Sequence, residues 1–193
     1  LDIGGGTSDM MICDYRNRPC FEADVFPQVK PVFWEGFALA GDDIARSVIE
    51  RILLPGIKAW LVANQAGSVQ ETLNTLFGPS MGSHTQEDKV MKQWFTQRVA
   101  LPVAYGILQR RADELELGKI RMDELANLDL SEAPGMESYF ERKIQESTGV
   151  SNFRFSEVTL DVQPRVVDGA IRIVMKNVLE QMSALISTFQ CDM

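Results

Sequence analysis

The strongest constraint on this chain lies in its first ten residues, LDIGGGTSDM. Three consecutive glycines, Gly4, Gly5 and Gly6, stand between Asp2 and Asp9, and the apolar run Met10-Met11-Ile12-Cys13 follows at once. A backbone without Cβ atoms reaches conformations closed to other residues and lets another group approach closely. Residues 7–14 (TSDMMICD) are β-compatible, so the glycines read as a hairpin turn between an incoming strand and this second one. The first residue is Leu1, in mid-strand, and the sequence is expected to be a piece of a longer protein.

Such a turn offers chemistry as well as shape. Successive free N–H groups form a concave anion site, which makes Gly4, Gly5, Gly6 and Thr7 candidates for holding phosphate oxygens, with the Thr7 hydroxyl as a further donor. Asp2, at the end of the incoming strand, is placed to hold a hydrated Mg²⁺ or to orient a water. Magnesium is commonly held this way, by few carboxylates and several waters. The pattern is not a Walker A loop, because no Gly-Lys-Ser/Thr follows. It is not the dinucleotide fingerprint, which opens a helix rather than a second strand. A triple glycine by itself also serves as a plain hairpin turn.

Charge narrows the partners. The formal net charge is -8 and the pI about 4.7, which argues against nucleic acid or an anionic membrane, since either needs a basic face. No apolar run reaches the roughly 20 residues of a membrane span, and no secretory leader is visible, so a cytoplasmic protein is expected. Cys13, Cys20 and Cys191 lack metal-ligand spacing and are expected as reduced thiols. With His84 the only histidine, a structural zinc site is not expected.

Two further extended runs, residues 20–29 and 32–40, complete a three-stranded meander that is apolar on both faces, as in a sheet covered by helices. Gly41-Asp42-Asp43 then starts a helix whose Ile44, Val48, Ile49, Ile52 and Leu53 share one face. Pro55-Gly56 should break or kink it, with residues 57–63 continuing it. Residues 64–150 read as a helical insertion, its longest helix over 86–111 and kinked at Pro102, a shorter one over 138–146, and a loop over 129–135. Residues 153–162 read as a strand. A final helix covers 165–190, with Val167, Ile171, Val174, Val178, Met182, Leu185 and Phe189 recurring every three or four residues. The expected class is α/β. Residues 1–63 and 151–193 form a sheet domain whose strands, from both ends of the chain, share one sheet; 64–150 form an inserted subdomain.

The series Asp2, Gly4, Gly5, Gly6, Thr7 and Asp9 closely resembles, position by position, the second phosphate motif of the actin-like ATPase superfamily, which includes heat-shock chaperone ATPases, sugar kinases and filament-forming actin relatives. Ser8 stands where several chaperone members carry phenylalanine. The spacing of Gly41-Asp42-Asp43-Ile44 resembles the step that begins a helix near the nucleotide in the chaperone-like branch. The order of three strands, helix, insertion and long helix is also similar. The insert, together with Phe33-Trp34-Glu35-Gly36-Phe37, is similar to SrfB-type bacterial virulence-factor proteins. The resemblance implies the second lobe of an actin-like (ribonuclease H-like) fold and, in the parent protein, binding of ATP and Mg²⁺ at Gly4, Gly5, Gly6, Thr7 and Gly41, with Asp2 reaching the metal through water. The superfamily's first phosphate motif and its adenosine motif are not in this sequence. One wall of a cleft therefore implies no catalytic residue in the isolated fragment and no tightly bound cofactor. The alternative implied is a degenerate actin-like domain that acts as an interaction or scaffold module, its insertion facing a protein partner.

Other residues read more simply as structure. Asp42 and Asp43 suit a helix start. His84 belongs to a Gly/Ser loop, and Arg110 and Arg111, which in the family could lie near adenine or ribose, belong to a solvated helix face. Trp34, Trp60 and Trp94 read as core anchors, and Met10, Met11, Met175 and Met182 as core-facing.

Overall fold

The computed structural model describes residues 2–16, 28–78, 85–128 and 130–188. The chain divides into two compact units, Leu1–Ile44 with Arg172–Met193, and Ala45–Ile171. The described residues are mostly helical and carry two small antiparallel sheets.

In the first unit, β1 (Asp2–Ile3), β2 (Ser8–Arg16) and β3 (Gln28–Phe37) form an antiparallel sheet in the order β1-β2-β3. The meander is present, but β3 begins at Gln28 and runs through the expected connection at Lys30-Pro31; residues 20–27 of the second expected run lie outside the described residues. The register explains how a proline fits there. Ile12 opposes Phe33 and Cys13 opposes Pro31, so Val32 is left over as a bulge. Pro31 has no N–H to donate, and an edge strand with a bulge is where such a residue is tolerated.

Alternation along β2 sends neighbours to opposite faces. Ser8 and Met10 are buried, and the Ser8 hydroxyl donates to the Leu39 carbonyl at 2.6 Å. Met11 and Trp34 oppose each other in register and are 57% and 74% exposed. Neither is the core residue expected from its type, and among the described residues this pair is exposed. In the same unit, the later part of the last helix buries Val174 and Val178 and half-buries Met175 and Met182.

The second unit opens within a long helical run whose residues 41–44 belong to the first. Helix α1 (Gly41–Val48), a π-helical turn (Ile49–Leu53) and α2 (Leu54–Ala63) follow without interruption. Proline cannot donate to the carbonyl four residues back and crowds it. Just before Pro55 the ladder widens, and the Leu54 N–H bonds the Ile49 carbonyl. The same device recurs at Pro102. After α3 (Val69–Phe77) comes α4 (Gln86–Phe95), then a π-turn (Thr96–Ala100) in which Leu101 N–H donates to Thr96, then α5 (Leu101–Ala112). Neither proline ends its helix; each is accommodated by one wide turn.

The unit continues with β4 (Lys119–Arg121), α6 (Met122–Leu125) and α7 (Met136–Thr148). Gly149 ends α7 in the left-handed region, φ 80°, with its N–H on the Gln145 carbonyl, as a helix C-terminus favours. A 3₁₀ turn (Phe155–Glu157) leads into β5 (Thr159–Asp161) and then α8 (Pro164–Thr188). The strand expected over 153–162 is thus reduced to three residues. It pairs with β4, Leu160 opposite Ile120, and not with β1, β2 or β3. The expectation of one sheet shared by both ends of the chain is not met among the described residues. Residues 45–63, read from sequence with the sheet half, pack in this helical unit.

Its core is aromatic at the centre. Phe140 stacks on Phe77 at 5.4 Å between centroids and meets Phe155 edge-on at 5.4 Å, with Phe95 beside both. Trp60 is an anchor as expected, edge-on to Phe153 at 5.1 Å, and Trp94 packs half-buried against the same core.

Candidate functional site

The glycine turn is tight and exposed. Gly4 N–H donates to the Thr7 carbonyl at 2.8 Å, closing residues 4–7 between β1 and β2. None of its three glycines has φ in the left-handed region. Space is tight at Gly4 and Gly41, whereas a Cβ on Gly5 or Gly6 would make only ordinary contacts. A Cβ on Gly4 would lie 3.3 Å from the Thr7 carbonyl oxygen, and one on Gly41 would lie 3.3 Å from the Gly4 carbonyl and 3.6 Å from the Gly5 Cα.

That approach joins turn to helix. Gly41 N–H donates to the Gly4 carbonyl at 3.1 Å, and Asp42 N–H donates to the Gly5 carbonyl at 2.6 Å. The first N–H groups of a helix have no partner within it; here two are satisfied by the turn. The resemblance implies a place for Gly41 near the turn, and the structure sets it directly against Gly4 and Gly5. Among the described residues, the N–H groups of Gly5 and Gly6 have no hydrogen-bond partner, and both residues are exposed.

Carboxylates surround the turn. Asp2 is exposed and lies opposite Asp9 in register. The Thr7 hydroxyl reaches the Asp9 carboxylate at 3.4 Å. The Asp42 carboxylate stands 3.7 Å from where a Gly6 Cβ would be and 3.8 Å from the Gly5 position. Asp43 takes a different role, accepting the Ala40 N–H at 3.0 Å at the helix start. Among the described residues no group of three or more His, Cys, Asp or Glu could enclose a metal. Asp2 and Asp42 are carboxylates beside the turn that could hold a cation through water.

From sequence, Asp42 reads as a helix-start charge in preference to a catalytic carboxylate, and Gly36 carries no role at the site. The Asp9 Oδ1 lies 2.7 Å from where a Gly36 Cβ would be, so any larger residue across the sheet would require the Asp9 carboxylate to move aside. The signal was available in the Trp-Glu-Gly-Phe run, but only the register shows which carboxylate it accommodates.

The remaining candidates are engaged or elsewhere. Arg111 grips Asp168 with two hydrogen bonds, Nε–Oδ1 2.7 Å and Nη2–Oδ2 3.2 Å, which raise the guanidinium's pKa further. Arg110 donates to the Glu124 carbonyl at 3.3 Å. Cys13 is a free, half-buried thiol, while Cys20, His84 and Cys191 lie outside the described residues. No described helix is long and apolar enough to cross a membrane.

Compared with known families, the chain matches, over residues 1–193, the sequence model of a family described as Virulence factor SrfB. No curated protein and no solved structure matches it.

Proposed function

We propose, from the premise that this chain belongs to the SrfB virulence-factor family, that its glycine hairpin is the phosphate-gripping turn of an actin-like ATP site. The chain contributes one wall of that site within the second lobe of such a fold. The observation that carries the reading is the exposed turn whose Gly5 and Gly6 N–H groups are free while its carbonyls are tied to the N-terminus of α1. Donors held outward on an anchored backbone suit phosphate oxygens and need no rearrangement to meet them.

The carboxylates set a condition on the ligand. Asp42 beside Gly5 and Gly6, with Asp2 nearby, repels a bare polyphosphate. A bound magnesium ion would supply the positive charge that offsets this repulsion. Asp2 and Asp42 would hold its waters, Thr7 would donate to a phosphate oxygen, and Gly41 would let the chain pass close beneath. Phosphoryl transfer needs groups on both sides of the phosphates, so hydrolysis is assigned to the larger assembly of which this wall is part.

The test is calorimetric titration of ATP into the 193-residue chain, with and without Mg²⁺, alongside a phosphate-release assay. Expected is weak binding, about -4 kcal/mol or a millimolar constant, that requires Mg²⁺ and is lost in Gly5→Val, with no turnover. Binding equally strong without Mg²⁺, or unchanged by Gly5→Val, refutes the reading. Turnover lost in Asp2→Ala would mean that the chain holds a whole active site.

A second reading, a non-enzymatic interaction module, is favoured by one observation: Trp34 and Met11 present a joined apolar pair on the open face of the first sheet. Under it, ATP binds at no concentration, and partner capture is unaffected by Gly5→Val.

A further inference from the structure

The second unit holds an open cavity of about 520 Å³ beside β5, within the range of ligand-sized sites. One wall is α2, through Pro55, Ala59 and Trp60. The facing wall is β5 itself, through Thr159, Leu160 and Asp161. Leu160 is fully buried, its side chain against Gly56, where an added Cβ would meet its Cδ2 at 2.3 Å. Thr159 and Asp161 are exposed.

The ladder fixes where the β5 backbone points. Met122 N–H donates to the Val158 carbonyl at 3.0 Å, and Val162 N–H to the Gly118 carbonyl at 2.7 Å. In an antiparallel pair the bonded positions alternate. Residues 158, 160 and 162 therefore turn their N–H and C=O groups toward β4, while Thr159 and Asp161 turn theirs away. Among the described residues no backbone partner meets those four groups. They are two donors and two acceptors at strand spacing, on residues that line the cavity.

We propose that this cavity receives an extended peptide segment of another protein, which adds as a third strand to the open edge of β5. A strand is the ligand that satisfies alternating donors and acceptors at this spacing. Side chains of the added strand alternate too. Those beside Leu160 face Pro55, Ala59 and Trp60 and should be apolar. The residue opposite Asp161 should be basic, because Lys119 already lies across from Asp161 on the other side, and a second cation completes a plus-minus-plus row over three strands. Glu157 on the same rim takes a second basic residue; Arg51 and Lys119 also line the cavity, so the preference for a cationic segment rests on these two carboxylates at the strand edge and, at longer range, on the chain's net charge of -8. The occupant is thus a short segment of the pattern basic–apolar–polar–apolar–basic. This inference is independent of the nucleotide reading.

The probe is the capped peptide acetyl-Lys-Val-Thr-Val-Lys-amide, titrated into the full chain and followed by amide NMR. Saturable shifts should centre on Thr159, Leu160 and Asp161. The same peptide N-methylated at its Lys and Thr residues, which removes the donors aimed at β5, should bind at least tenfold more weakly. Ala59→Trp, at an exposed position on the α2 wall, should abolish binding while leaving the remaining spectrum folded. Equal binding by the N-methylated peptide, equal binding by the Glu-Val-Thr-Val-Glu counterpart, shifts centred elsewhere, or no saturable shifts would each overturn the proposal.

Discussion

The main-chain N–H of Asp42 donates to the carbonyl of Gly5 at 2.6 Å, so the first turn of α1 rests on the glycine hairpin 37 residues away in sequence (42 minus 5). With the Gly41–Gly4 bond beside it, this contact orients the hairpin. The turn's carbonyls face the helix, and the free N–H groups of Gly5 and Gly6 remain.

Replacing Gly41 by alanine tests that arrangement. The new methyl would lie 3.3 Å from the Gly4 carbonyl and 3.6 Å from the Gly5 Cα, backbone on both counts. We expect a loss of about 1–2 kcal/mol of stability by urea denaturation. Hydrogen exchange at the Asp42 amide should also accelerate. An unchanged Asp42 exchange rate would show that hairpin and helix do not depend on each other.

Two glycines in the helical unit separate close packing from helix propensity. A Cβ on Gly106 would lie 2.0 Å from the Leu125 carbonyl oxygen, an obstacle of backbone. One on Gly56 meets the Cδ2 of Leu160 at 2.3 Å, the end of a side chain that can shift, while the Leu160 Cα and Cγ stay at an ordinary 3.6 Å. Alanine gains about 1 kcal/mol of helix propensity at either site. Gly106→Ala should therefore destabilise by about 2–3 kcal/mol net, and Gly56→Ala by about 1 kcal/mol or less. Reversal of that order in denaturant titrations would contradict the packing described.

The Asp88–Tyr139 contact makes stability depend on acid. The Tyr139 hydroxyl donates to the Asp88 carboxylate, which also accepts the Thr85 N–H at 2.9 Å; these hydrogen bonds, Tyr139 foremost, lower its pKa from 3.8 to about 2. Burial and the neighbouring carboxylate push the Tyr139 phenol upward. A depressed carboxylate contributes stability that is present above its unfolded value and lost as pH falls through its folded one. Stability should thus decline between pH 3.8 and about 2. Tyr139→Phe should flatten that decline, measured as the urea midpoint against pH. An acid limb unaltered by Tyr139→Phe would remove this pair as its source.

Trp34 should matter little to stability. It is 74% exposed, so Trp34→Ser should shift the unfolding free energy by about 0.5 kcal/mol or less. A loss above 2 kcal/mol would show that Trp34 is buried in solution. Exposed aromatic surface promotes association, so the variant should also raise the concentration at which light scattering first detects self-association.

Much of this protein is determined by local sequence. The glycine run placed a turn between strands, because its residue types and the flanking β-compatible segments are local facts. Helical spacing found the long final helix and the long helix of the insertion, and the paired acidic residues marked the start of α1. The tertiary structure decided the rest. Pro55 reads as a break or kink and Pro102 as a kink; in the structure each helix continues past its proline through a π-turn, packed on the core on both sides. Trp34 reads as core because of its type, but the β3 register puts it on an open face. Residues 159–161 read as strand, but their partner is β4, a segment with no signal of its own: three residues cannot show a period, and pairing partners are chosen by long-range contacts. At the site, the sequence named Gly4, Gly5, Gly6, Thr7, Asp2 and Gly41, while the chain's return after β3 alone brought Asp42 beside the turn and set Gly36 under Asp9. Spacing reports what a segment can be; which backbone it meets depends on how distant segments exclude water together.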